Sequence, residues 1–252
     1  MNRMSMSASG LAAKCLYGFR LDVRQFPRPI YRATQVGTVT HYCVEKKRNG
    51  AANDHGITDT TIIADAEAIF AGPLSGFVDS RPWTACEIGM RYDSINDTAT
   101  EGPKRGEPGY DDVVASVLRG TLDLVHIEGE SGLVVDVKTG KPPTDSEQLY
   151  AQAVAVSRRY KLKTVRVQYA RALKTKLDIL ADEVLDADRL DAEAGRIARR
   201  LRLVPSSEPN PGDWCFRCDA RPGCPAHQRD DEYVPAEMPA PELYDDNARL
   251  TF

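Results

Sequence analysis

Apolar and polar positions alternate in four stretches that predict strands: Glu87–Tyr92 (EIGMRY), Gly120–Ile127 (GTLDLVHI), Leu133–Lys138 (LVVDVK) and Thr164–Tyr169 (TVRVQY). LVVDVK is apolar enough for a central strand. Between the second and third stretches, EGESG at 128–132 predicts a tight hairpin. Leu149, Ala153, Val156 and Tyr160 recur at helical spacing, and Thr144 with Glu147 forms a T-x-x-E capping box before them. Leu190, Ala194, Ile197 and Leu201 mark a long amphipathic helix whose Arg-rich end suits the helix dipole.

The first third of the chain is less regular. Ser5–Arg24 reads as a short helix, ended by the PRP at 27–29. Another helix begins around Gly37–Thr38 and carries His41. Asn49–Asp59 and Ser94–Asp112 read as loops, and Thr61–Phe70 fits helix or strand. This order predicts an α/β fold with a mixed central sheet flanked by helices. Residues 1–228 form the domain, and 229–252 form an acidic, Pro-rich tail expected to be disordered.

The 252 residues are 42% hydrophobic and 28% charged, enough for one well-packed soluble domain. No run of eighteen apolar residues occurs, so no membrane span is expected. The start, MNRMSMSASGLAAK, lacks a secretory apolar core, which predicts a cytoplasmic protein. The formal charge of −4 argues against a nucleic-acid partner until its distribution is considered. The tail holds seven acids and two bases, so the rest of the chain is near neutral. That leaves room for a basic groove, with Lys46, Lys47, Arg48, Arg199, Arg200 and Arg202 as candidates or as plain solvated faces.

Two clusters carry chemistry. Asp136 and Lys138 lie two apart in one strand and therefore share a face. The hairpin lays Asp123 of the preceding strand beside Asp136. Two neighbouring carboxylates repel unless a cation sits between them, which suits Mg²⁺ or Mn²⁺. Gln148 and Gln152 are i, i+4 neighbours on the next helix and could face this acidic end. His126 faces away from Asp123, and Glu87 reads as a strand-end charge.

The second cluster is Cys215, Cys218 and Cys224, a C-x2-C-x5-C spacing suited to a soft metal. Disulfides are unexpected in a cytosolic chain of this size. Cys15 is the best candidate for a fourth ligand, around either an iron–sulfur cluster or zinc. Cys43 and Cys86 read as small core residues.

GTLDLV, VVDVKTGK and EQLYAQA, in that order, resemble the RecB-type branch of the PD-(D/E)XK nuclease superfamily. That branch includes CRISPR-associated iron–sulfur exonucleases and AddB-type nuclease domains. The resemblance implies a DNA exonuclease acting on single strands or duplex ends. It implies metal ligands at His41 (in VGTVTH), Asp123 and Asp136, with Lys138 and Gln148 completing the catalytic set. The family's Tyr, four residues after the Gln, is replaced here by Gln152, a possible substrate contact. One N-terminal and three C-terminal cysteines imply a [4Fe–4S] cluster on Cys15, Cys215, Cys218 and Cys224, with Zn²⁺ as the rival. A bacterial or phage-infected cell is the expected setting. A non-catalytic DNA-binding or scaffold subunit and an endonuclease of the same superfamily remain alternatives. The final NARLTF resembles a sliding-clamp-binding peptide.

Overall fold

The structure, a computed structural model, describes residues 6–7, 15–16, 31–50, 55–104, 107–110, 116–140, 145–210, 215 and 223–228. The elements run β1 (Met6–Ser7), α1 (Arg32–Asn49), α2 (Thr60–Ile69), a π-helical turn (Phe70–Leu74), α3 (Ser75–Asp79), β2 (Ala85–Asp93), β3 (Thr98–Gly102), β4 (Val117–Glu128), β5 (Ser131–Lys138), α4 (Glu147–Tyr160), β6 (Thr164–Ala172), β7 (Leu177–Leu185), α5 (Ala187–Leu203) and α6 (Pro225–Gln228). The tail residues 229–252, including NARLTF, lie outside the described residues.

One mixed sheet in the order β3-β2-β4-β5-β6-β7 carries the fold, with β1 paired to β4 beside that path. β5 and β6 are parallel and are connected through α4; β2–β3, β2–β4, β4–β5 and β6–β7 are antiparallel. One face of the sheet packs on α4 and α5 through Leu149, Val156, Leu190, Ile197 and Leu201. The other packs on α1 and the α2–α3 segment through Val44, Ile69, Leu74 and Val78. The expected sheet between helices is therefore present.

Several sequence expectations change. Met6–Ser7 is extended and pairs parallel to Leu118–Arg119, whereas a helix was expected from Ser5. Thr61–Phe70, left open between helix and strand, is helical, and Asp59 caps it by accepting from the Thr61 and Ile62 N–H groups. Thr60–Asp79 is apolar and long enough for a membrane span by length and composition. It is bent at Gly72 (ψ −153°) beside Pro73, and Ile62, Ala66, Ile69, Leu74 and Val78 are buried inside the protein. Two strands were missed: β3, within the polar stretch read as a loop, and β7, with its exposed Asp182, Glu183 and Val184.

Helix α1 starts five residues earlier than its sequence suggested, because propensity is not what holds it. Gly37 and the β-branched run around it are weak helix formers; burial of Val39, Thr40 and Val44 stabilises the helix instead. A side chain at Gly37 would place its Cβ 3.3 Å from Thr139 Oγ1, so glycine lets α1 lie close to the end of β5. On α4 Ser146 is the N-cap residue, and Asp145 Oδ1 accepts from the Glu147 N–H at 3.2 Å; the expected capping box involves Thr144. Thr144 lies outside the described residues.

Candidate active site

The site begins with a break in strand alternation. Cys86 and Leu124 face α1–α3, whereas Ile88 and Leu122 face α4–α5. Each pair is only two residues apart in its strand, so β2 and β4 both switch faces between them. Cys86 pairs with Leu124 and Ile88 with Leu122, which sets Glu87 and Asp123 opposite each other at the switch. Glu87 takes a left-handed backbone conformation there (φ 50°), a strained state for a non-glycine residue.

On the other side of β4, the ladder to β5 ends at Leu124↔Val135. Past that pair the Asp123 carboxylate enters between the strands and accepts the Val137 N–H through Oδ2 at 2.6 Å. Its other oxygen, Oδ1, lies 3.6 Å from His41 Nδ1, and Glu87 Oε1 lies 2.6 Å from the same nitrogen. Ligand atoms of His41, Glu87 and Asp123 all fall within 4.8 Å of one another. Glu87 and Asp123 are buried and His41 half-buried.

Asp136, on β5, is held from the side of α4. The strands have separated, and Asp136 faces α4. Gln148 Nε2 donates to Asp136 Oδ1 at 2.7 Å, and Gln152 Nε2 donates to the same oxygen at 3.2 Å. The Lys138 ammonium sits 2.6 Å from Asp136 Oδ2, at an angle poor for a hydrogen bond, and 3.3 Å from Gln148 Oε1. Asp136 remains near enough for its charge to act on both His41 and Asp123.

Gln152 is 2% exposed, which removes it from direct reach of a substrate. It also donates to Thr121 O at 3.2 Å, spanning the gap between β4 and β5. His126 faces away, as expected, and contacts Pro82 O at 2.9 Å.

Burial opposes charge on His41, but Asp123, Glu87 and Asp136 outweigh it and lift its pKa from 6.5 to about 10. Burial also pushes the Asp123 carboxyl well up. The His41 imidazole and the Asp123 carboxyl thus both favour their protonated forms in this arrangement.

Sequence reasoning set Glu87 aside as a strand-end charge. It stands mid-strand, not at a strand end, and its role depends on a backbone reversal that no apolar pattern encodes. The one available signal was an acid inside an otherwise apolar strand.

The profile of the PD-(D/E)XK nuclease superfamily matches residues 3–225. The chain belongs to the PD-(D/E)XK nuclease superfamily. Comparison with curated proteins gives no match. Among solved structures, the crystal structure of SSO0001 aligns over 79% of this chain and 86% of its own, at 15% identity and a TM-score of 0.37.

The cysteines of this superfamily member are only partly visible. Cys15 Sγ accepts from the Asn210 N–H at 3.5 Å, which brings the N-terminal cysteine to the start of the segment carrying the other three. Cys15, Cys215 and Cys224 are not in disulfides, and Cys218 lies outside the described residues. Cys86 is buried and Cys43 packs at the edge of a small apolar cluster, in line with core roles. Burial pushes both thiols up.

Proposed function

We propose that this protein is a Mg²⁺- or Mn²⁺-dependent DNA exonuclease that hydrolyses phosphodiester bonds on single strands or duplex ends. The observation that carries the reading is the convergence of His41, Glu87 and Asp123 within 4.8 Å. Carboxylate and imidazole donors suit a divalent cation. His41, Glu87 and Asp123 would hold the ion, with Asp136 contributing from the neighbouring strand. When bound, such an ion polarises a phosphate oxygen and lowers the pKa of a coordinated water.

The chain's own groups prepare that chemistry. The Val137 N–H orients the Asp123 carboxylate, so the ligand is preorganised. Gln148 and Gln152 fix the Asp136 side chain. Lys138, a quarter exposed, offers an ammonium beside Asp136 that can stabilise developing negative charge on phosphate.

We further assign Cys15, Cys215, Cys218 and Cys224 to a structural [4Fe–4S] cluster. The Cys15–Asn210 contact supports this by bringing Cys15 beside the start of the segment that carries the other three. Such a closure restricts the unfolded chain. Thiolate ligands fit a cytoplasmic setting.

The test uses end-labelled linear DNA and circular single-stranded DNA, with Mg²⁺, Mn²⁺ or EDTA. Metal-dependent loss of the linear DNA with the circle intact supports the reading. Cleavage of the circle makes the protein an endonuclease, and no cleavage under any condition makes it a non-catalytic subunit. An absorption spectrum of anaerobically purified protein tests the cluster. A broad band near roughly 400 nm supports iron and sulfur. Colourless protein with stoichiometric zinc overturns the assignment.

A further inference from the structure

Arg171 stands next to Lys138. The two residues are register partners on the parallel strands β5 and β6, roughly 5 Å apart across the sheet. They also share a face. Val165, Val167 and Tyr169 of β6 pack toward α4, whereas Ala170 and Ala172 pack toward α1–α3, so Arg171 continues the α4 side. Val134 places Asp136 and Lys138 on that same side, and the Lys138 ammonium lies 5.7 Å from the centre of the Tyr169 ring.

Two cations side by side on one sheet face repel unless anions balance them. Lys138 has its anion in Asp136. Arg171 has no ion pair or hydrogen bond from its side chain among the described residues, and its Nε is buried without a partner. Its neighbours across the sheet are otherwise engaged. Asp178 is its register partner on β7, and Asp178 Oδ2 holds Lys176 at 3.0 Å. Lys174, in the loop between β6 and β7, holds Asp65 at 2.9 Å. A half-buried guanidinium with an unused nitrogen has a fork geometry that matches phosphate.

We propose that Arg171 binds a backbone phosphate of the nucleic-acid strand, one sheet position beyond the phosphate held at Lys138 and the carboxylates. This rests on the nuclease reading above. The strand then crosses the sheet from the His41–Glu87–Asp123 cluster over Lys138 to Arg171. Arg171 acts as a binding residue that sets the register of the scissile bond.

The experiment measures binding of a fluorescent single-stranded oligonucleotide to the full-length protein by anisotropy. Ca²⁺ replaces Mg²⁺, and the salt concentration is varied. Losing one phosphate contact on a single strand lowers the steepness of log K against log salt by about 0.7. Arg171→Ala is expected to show that reduction with about tenfold weaker binding, and Arg171→Lys is expected to keep the slope. Arg171→Gln, which preserves a polar stem, repeats the loss if the alanine variant folds poorly. Wild-type slope and affinity in both Arg171→Ala and Arg171→Gln would overturn the proposal. So would an unchanged slope with lowered thermal stability matched by Asp178→Ala, since Arg171 would then serve an internal ion pair. Slope loss in the variants, with no Mg²⁺- or Mn²⁺-dependent cleavage by the wild type, would remove the hydrolase reading and keep the phosphate site. Cleavage by the wild type with no slope change in the variants would do the reverse.

Discussion

His41 Nδ1 lies 2.6 Å from Glu87 Oε1, joining the middle of helix α1 to the one residue of β2 held in a left-handed conformation. Backbone strain thus sits at the carboxylate that pairs with the imidazole. Glu87, His41 and Asp123 are groups that could together hold a cation.

Replacing Glu87 with glycine removes both the strain and the carboxylate. Glycine adopts φ 50° without strain, and the substitution also removes a buried carboxylate. Metal-free Glu87→Gly is expected to gain about 1 kcal/mol in urea denaturation. Its metal affinity, read from Mg²⁺ titration of DNA cleavage, is expected to fall at least tenfold. Equal stability and equal metal affinity would show that Glu87 does neither job.

The pH dependence of the metal-free protein follows from His41 and Asp123. Burial works against the His41 cation, yet the surrounding carboxylates raise its pKa to about 10 from 6.5. A raised histidine pKa contributes stability that is fully present below 6.5 and lost as pH rises toward about 10. Asp123 is also raised, so its effect has the same sign: the folded state binds the extra proton. In EDTA the midpoint of denaturation should therefore fall between pH 7 and 9.5. Metal displaces the proton, so metal affinity should rise over the same range. Calorimetry in buffers of different ionisation enthalpy should detect proton release on metal binding.

Gln152→Leu tests the bridge between the separated strands. The substitution removes the donor to Thr121 O and one donor to Asp136 Oδ1 in a buried setting. A cost of about 1–3 kcal/mol is expected, with slower cleavage because Asp136 loses a restraint. Chemical denaturation together with single-turnover cleavage measures both. A direct substrate contact would predict weaker DNA binding at unchanged stability.

Gly89→Ala probes the support behind Glu87. A Cβ there would lie 2.2 Å from Gly102 O and 2.4 Å from the Pro103 carbonyl carbon, both backbone atoms that cannot swing aside. Overpacking of this kind costs about 1–3 kcal/mol. The displaced segment carries Lys104, which is paired with Glu45 one helical turn beyond His41. Thermal unfolding should show the loss, and metal affinity should weaken with it.

The layered architecture was legible because its central strands and the helices α4 and α5 have strong apolar periodicity. The Asp136–Lys138–Gln148 group was legible for the same reason: strand and helix spacing alone place those side chains on facing surfaces. The His41–Glu87–Asp123 trio was only half legible. His41 and Asp123 were expected in it, but Glu87 was read as a strand-end charge. The face switch in β2 and β4 is what sets Glu87 opposite Asp123. β3 and β7 escaped notice because they are largely exposed, and pairing with neighbours defines them more than any pattern of their own.

The early end of the β4–β5 ladder has a consequence for how the chain reaches this state. It leaves one side of β4 open beside Leu118, and Met6–Ser7 pairs there from roughly 110 residues away. Contacts of such long span form slowly, since the intervening chain loses much freedom before they form. Assembly of the sheet should therefore run from the β4–β5 hairpin outward, with the amino-terminal strand joining as a late kinetic event.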